Sequence, residues 1–198
     1  VSKGEQRGRR THVCPWWLAY LFDNPVRRRL HDAERILGPY VGPGMKVADI
    51  GCGLGYFSVE LARLVGPEGR VLSVDVQPAM LKQVSRRARR AGVTERIELR
   101  ACSAERLAER GALDFALAFW SAHEVPDQPG LYRAMAASLK AGGRLLVVEP
   151  LRHVPSSQFE RAVQHAIEQG LSVVRRPGIW LSRAVLYVKP AIDTRNQA

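Results

Sequence analysis

Val47-Ala48-Asp49-Ile50-Gly51-Cys52-Gly53-Leu54-Gly55-Tyr56 decides how this chain is read. The run from Met45 to Ile50 is a short buried strand, and Leu54 to Val65 carries Phe57, Leu61, Leu64 and Val65 on one helical face. Alternate glycines between them let the backbone turn tightly and approach a ligand without Cβ clashes. In an open α/β sheet, ligands sit beyond the carboxyl ends of the strands where strand order reverses, and the first strand is the expected place. A dinucleotide fingerprint reads GxGxxG and sets pyrophosphate on the helix N-terminus. Here the third glycine comes one residue early, at Gly55, and Tyr56 follows. Asp49, two positions before Gly51, suits a ligand bearing an ammonium or sulfonium cation and repels a pyrophosphate.

Working outward, the pattern alternates. Strands are expected at Arg70–Asp75, Arg96–Ala101, Leu113–Trp120 and Arg144–Glu149. Helices are expected at Pro78–Ala91, Ala104–Glu109 and Pro129–Lys140. This succession implies βαβ units, right-handed crossovers and a parallel sheet covered on both faces. After a helix from Pro155 to Gln169, Leu171–Val174 and Ala184–Lys189 read as strands with no room for a crossover helix between them, so they pair antiparallel at the sheet edge. Before the first strand, Asp23-Asn24-Pro25 starts a helix built on Val26, Leu30, Ala33, Ile36 and Leu37 and stopped by Gly38-Pro39. Asp75 closes the second strand 24 residues beyond Gly51, where a carboxylate accepts hydrogen bonds from both ribose hydroxyls. The alternative reading of Asp75 is a helix cap before Pro78.

The 198 residues, 46% hydrophobic and 25% charged, describe one globular domain rather than a disordered or collagen-like chain. Such a length buries roughly 70% of its unfolded surface and holds a core without metals or disulfides. Cys14, Cys52 and Cys102 are too few and too scattered for a disulfide framework or a zinc cluster, so no metal is expected. No apolar run spans a bilayer, and the basic start lacks the apolar stretch of a secretory signal, so a cytoplasmic protein without membrane contact is expected. Residues 1–23 are read as an arm and an aromatic segment, and 24–198 as the single domain. The net charge of +11 suits nucleic-acid or anionic-membrane contact, but arginines spread over solvated helix faces are the favoured reading.

The chain resembles the class I S-adenosylmethionine-dependent methyltransferases, in particular the small-molecule group, over about residues 24 to 189. The resemblance is carried by VADIGCGLGYFS at 47–58, VDVQPAML at 74–81, CSAERL at 102–107 and LKAGGRLLVVEP at 139–150. It implies a Rossmann-like, doubly wound, seven-stranded α/β sheet, mostly parallel, with an antiparallel last strand and helices on both faces. It implies S-adenosylmethionine as cofactor and S-adenosylhomocysteine as product. By position, Asp49 would lie near the methionine ammonium, with Gly51, Cys52, Gly53 and Gly55 lining the cofactor. Asp75 would hold the ribose, Val76 would pack on the adenine, and Ser103 and Ala104 would meet its edge. Many relatives carry Asp at the position of Ser103, which leaves the adenine amino contact to Ser103 or Glu105. Trp120 and Ser121 would face the sulfonium and the substrate.

Methyl transfer from a sulfonium is an in-line displacement, so the protein mainly aligns the reactants and excludes water. A thiolate acceptor needs no base, whereas a hydroxyl does, and His123, after the fourth strand, is the candidate base. Glu149 is read as a structural strand-end residue. Trp16, Trp17 and Tyr20, with Trp120, Ser121 and His123, are candidates for the substrate pocket, the first three as a lid or as ordinary core. A small-molecule acceptor is favoured over RNA or protein, because FWSAHEVP at 119–126 lacks the NPPY-like motif of base-modifying enzymes. A non-catalytic cofactor-binding module is the reading from another class. The sequence leaves a monomer and a homodimer equally open.

Overall fold

The computed structural model describes residues 29–107 and 109–191. Seven strands form one sheet: β1 (Lys46–Ile50), β2 (Arg70–Asp75), β3 (Ile97–Ala101), β4 (Leu113–Phe119), β5 (Leu139–Pro150), β6 (Ser172–Arg175) and β7 (Ser182–Val188). Their spatial order is β3-β2-β1-β4-β5-β7-β6. Pairings among β1 to β5 are parallel, and β7 runs antiparallel to both β5 and β6. The tail therefore forms the antiparallel hairpin expected from its short connection, and its second strand docks on β5. Among the described residues the sheet is accompanied by α1 (Ala33–Leu37), α2 (Tyr56–Leu64), α3 (Pro78–Ala91), α4 (Gln128–Ser138) and α5 (Ser156–Glu168).

Alternation along the central strands sends successive side chains to opposite faces. Ala48, Ile50, Leu72, Val74, Ala116 and Val147 pack with Leu131, Met135, Phe159 and Val163 of α4 and α5. Val47, Val71, Phe115, Leu117 and Val148 pack with Leu37, Phe57, Leu61 and Ala88 of α1, α2 and α3. Because both faces are covered, the strands carry near-continuous apolar runs, and each fully buried Leu or Phe contributes about 1.5–3 kcal/mol. The helix boundaries have local causes. Pro78 opens α3 in the first turn, and Gly92, at φ 68°, closes it in the left-handed conformation, its N–H directed at the carbonyls of Ala88 and Arg89.

Three expectations are corrected. The N-terminal helix is not continuous: residues 29–30 are helical, the turn at His31 interrupts it, and Asp32 caps a new start by accepting from the Arg35 N–H at 3.1 Å. An Asp side chain that competes for backbone N–H groups favours a cap over a helix interior. The helix expected at Ala104–Glu109 is a single 3₁₀ turn, Ala104–Arg106. The helix expected to end at Lys140 ends at Ser138, and β5 begins at Leu139, paired with Leu113. Gly142 and Gly143 exchange backbone hydrogen bonds with Lys189 there, which draws the segment into the sheet.

This topology fixes where a site can form. The chain builds outward from β1 through β2 to β3, then crosses back to lay β4 on the other side of β1. The reversal therefore falls between β1 and β4, and the loop Gly51–Gly55 leaves β1 at that point.

Candidate functional site

Asp49 and Ser73 face each other across the β1–β2 register. Ser58, in the first turn of α2, donates to Asp49 Oδ2 at 2.6 Å, and Ser73 Oγ reaches Ser58 Oγ at 2.9 Å. Asp49 is only 2% exposed. Burial pushes its pKa up to about 7; the Ser58 hydrogen bond opposes that rise and the charge of Asp75 adds to it. The carboxylate is thus held at the edge of ionisation near neutral pH.

The glycine loop wraps above it. Gly51, Gly53 and Gly55 have φ of 67°, 51° and 80°, a region that costs other residues about 1–2 kcal/mol. A Cβ on Gly51 would lie 2.4 Å from Ser121 Cβ, and one on Gly55 would lie 2.9 Å from Val84. Gly53 is different, because a Cβ there would meet nothing within 4 Å. Two of the glycines thus allow close packing, and the third turns the chain beside open space. Cys52 is buried, and burial together with the Asp49 and Asp75 charges keeps its thiol well above the ordinary pKa, so it is no nucleophile near neutrality.

Asp75 faces the same loop. Its Oδ2 accepts from the Gly53 N–H at 3.0 Å and its Oδ1 from the Gln77 N–H at 2.8 Å. Burial raises its pKa, and backbone N–H groups of Gln77, Gly53 and Val76 restrain the rise. Two carboxylate oxygens offer about four lone-pair sites, so acceptor capacity remains for a ligand hydroxyl. Beside it Val76 is 49% exposed, an apolar side chain left open at the strand end. Asp75 pairs with Ala101, which sets the Ser103–Glu105 segment alongside. Ala104 is buried in the core, while Glu105 Oε2 is buried with no hydrogen-bond partner among the described residues.

After β4, Ser121 Oγ donates to the Ile50 carbonyl at 2.6 Å, tying the start of the glycine loop to the next strand end. His123 follows in the 3₁₀ turn Ala122–Glu124. Its backbone N–H and its ring both engage Glu149, the N–H to Oε1 at 2.9 Å and Nδ1 to Oε2 at 2.5 Å. Trp120, at φ 57°, donates from Nε1 to Ser182 Oγ at 3.0 Å, and its ring lies 5.1 Å from that of His31 and 5.6 Å from that of Phe119. His31 in turn bonds the Trp180 carbonyl through Nε2 at 3.0 Å. Trp120 thus belongs to an aromatic cluster shared with the turn at His31 and the β6–β7 connection, and its indole is engaged there.

The structure therefore brings together Asp49, the glycine loop, Asp75, Val76, the Ser103–Glu105 segment, Ser121 and His123 around the carboxyl ends of β1 to β4. Trp16, Trp17 and Tyr20, with the expected 1–23 arm, lie outside the described residues. Sequence reasoning missed Ser58, Ser73 and His31, and read Glu149 as structural only. Ser73 had a signal, a polar residue inside the apolar strand RVLSVD. Glu149, at the end of RLLVVE, had the same one. His31 had none, since its partner is 149 residues away.

Known proteins are similar to this chain. A family profile described as a methyltransferase domain matches residues 42–183. The ubiquinone/menaquinone biosynthesis C-methyltransferase of Pasteurella multocida is 34% identical over 110 residues, which are 55% of this chain and 41% of that protein. The chain thus aligns with less than half of that relative's length. A SAM-dependent methyltransferase from Aquifex aeolicus superposes with a TM-score of 0.78 at 19% identity, covering 88% of this chain and 98% of its own. Geranyl diphosphate C-methyltransferase from Streptomyces coelicolor, solved with Mg2+, geranyl diphosphate and S-adenosyl-L-homocysteine, superposes with a TM-score of 0.69 at 19% identity, covering 82% and 80%. At such identities the structural likeness speaks for the fold.

Proposed function

The chain belongs to the methyltransferase domain family, and on that premise we propose that it transfers a methyl group from S-adenosylmethionine to a small-molecule acceptor in the cytoplasm. The observation that carries this reading is Asp75: a carboxylate at the end of β2, held by the Gly53 and Gln77 N–H groups, beside the exposed Val76. A sugar diol needs such an acceptor pair, and an adenine ring needs such an apolar shelf. Glu105 Oε2, buried and without a hydrogen-bond partner among the described residues, fits an amino group at the far edge of that ring. Open space over Gly53 fits the close passage of a ligand along the loop. Asp49 supplies negative charge behind the loop for a cationic methionine portion. When bound, the cofactor supplies an activated methyl on a sulfonium.

The chain's own residues then bind, orient and exclude water. Asp75 and Val76 fix the nucleoside, and Ser121 locks the β4 end against the loop. His123 is the group available to accept a proton. Five features of one sequence converge on this ligand, whereas a pyrophosphate-bearing dinucleotide would meet Asp49 and the early Gly55. Isothermal titration with S-adenosylhomocysteine tests the reading: one site per chain is expected, and no heat at millimolar ligand would overturn it. Among the described residues no helix is long and apolar enough to cross a membrane.

A further inference from the structure

We propose that Glu149 is a positioning residue that fixes His123 as the proton acceptor of the site, so that the molecule methylated is one that loses a proton on methylation, a hydroxyl or an acidic C–H compound, rather than a ready-made thiolate. The proposal rests on the methyl-transfer reading above and deepens it.

Glu149 is 4% exposed, and both its oxygens are committed to one residue. Oε1 holds the backbone of the His123 turn and Oε2 holds the ring, so the carboxylate sets the position of the turn and the rotation of the imidazole together. Gln128 clamps the same turn from α4, its amide donating to the carbonyls of Ala122 and Val125. A carboxylate only accepts, so the proton between the two side chains belongs to Nδ1, and the lone pair of a neutral ring belongs to Nε2. Nε2 makes no hydrogen bond among the described residues, and the His123 side chain keeps 22% of its surface open. The turn lies two residues beyond Ser121, which packs on Gly51, so the free nitrogen belongs to the loop's end of the sheet.

The charged and titratable groups around the ring are few. Glu149 faces it from β5 and Glu124 from its own turn. Behind Glu149, Tyr132 of α4 is buried against Tyr187 of β7, and burial raises the pKa of both phenols, which stay neutral. Burial of the imidazole pulls its pKa down, while the Glu149 hydrogen bond and charge, with Glu124 adding, push it up and prevail. The result is a stronger base than free imidazole, with its protonated form stabilised after it has accepted a proton. In the step itself the O–H or C–H bond of the acceptor breaks and its proton moves to the Nε2 lone pair. The electron pair left on the acceptor forms the bond to the methyl carbon, the methyl–sulfur pair stays with sulfur, and Nε2 later returns the proton to water.

The test is a set of 15N–1H correlation spectra of the full chain labelled with 15N-histidine, saturated with S-adenosylhomocysteine and titrated in pH. His123 is expected as the Nδ1–H tautomer, titrating above the ordinary value, and Glu149→Gln is expected to lower that pKa. An Nε2–H tautomer in the wild type, which needs no variant to fold, would overturn the proposal, as would a titration unmoved in Glu149→Gln. Initial rates of transfer from S-adenosylmethionine to a panel of naphthols, 1,3-diketones and thiophenols form the second arm. Transfer to a naphthol or diketone is expected, with the acidic limb of kcat shifted to lower pH and the plateau reduced roughly 10²-fold in Glu149→Gln at unchanged KM. Transfer to thiophenols alone, or to nothing in the panel, would overturn the acceptor class. A wild-type chain that fails to bind S-adenosylhomocysteine would instead overturn the underlying reading, and calorimetry reads that separately.

Discussion

At the scale of single residues, Asp49 trades stability for a poised charge. Its pKa rises from 3.8 to about 7 on folding because burial disfavours the ionised form. The folded state therefore binds the extra proton between those values, and stability falls as pH climbs from about 4 to about 7, then levels. The upper limit of that loss is about 4 kcal/mol, each tenfold gain in proton affinity on folding being worth about 1.4 kcal/mol. Asp75, also raised by burial, adds a smaller loss of the same sign. Asp49→Asn keeps an acceptor for Ser58 and removes the buried charge. The variant is expected to melt higher than wild type at pH 8 and equally at pH 4, read by thermal unfolding. Wild-type affinity for S-adenosylhomocysteine should rise from pH 6 to pH 8 as its ammonium favours the ionised Asp49, and the variant should lose that dependence. Asp49 itself was legible from the sequence, because an acid before a glycine turn is unusual in an apolar strand. Its supports were less so: Ser73 stands out only as a polar residue in an apolar strand, and Ser58 becomes a partner only once α2 folds back on β2.

At the scale of elements, the glycine loop separates packing from binding. In Gly51→Ala a left-handed φ and a methyl 2.4 Å from Ser121 Cβ act together, and a loss of about 2–4 kcal/mol is expected in denaturant unfolding. Gly53→Ala carries the same backbone penalty with nothing to strike. It is expected to cost about 1–2 kcal/mol of stability while weakening S-adenosylhomocysteine more than Gly51→Ala does in the folded fraction. Strand and helix positions were legible because buried parallel strands are written as apolar runs, and the bounds of β2 and α3 follow from Asp75, Pro78 and Gly92. The break at Asp32, the single turn at Ala104–Arg106 and the pairing of 139–143 were not. The first is decided by a competing hydrogen bond and the last by distant strands rather than by local periodicity.

At the scale of the whole molecule, part of the basic charge, on α3, lies apart from the site. Helix α3 returns antiparallel to the strands, so its 14 residues carry the exposed Arg86, Arg89 and Arg90 toward the opposite end of the sheet from the glycine loop. That span is roughly 20 Å at 1.5 Å per residue. Replacing these three arginines with glutamate is expected to leave S-adenosylhomocysteine affinity within about twofold while abolishing any retention on heparin; a tenfold loss would tie the basic face to the site. The sheet order, by contrast, puts the candidate residues among those described along one edge, the carboxyl ends of β1 to β4, because β1 and β4 lie on the two sides of the reversal. The central claim is that this edge holds a cationic sulfur nucleoside through Asp75. Titration calorimetry of wild type and Asp75→Ala with S-adenosylhomocysteine tests it most directly. One site in the wild type and an affinity at least tenfold weaker in the variant, the loss of about 1.5–3 kcal/mol of charged hydrogen bonding, is the predicted result, and equal affinity in a folded Asp75→Ala would contradict it.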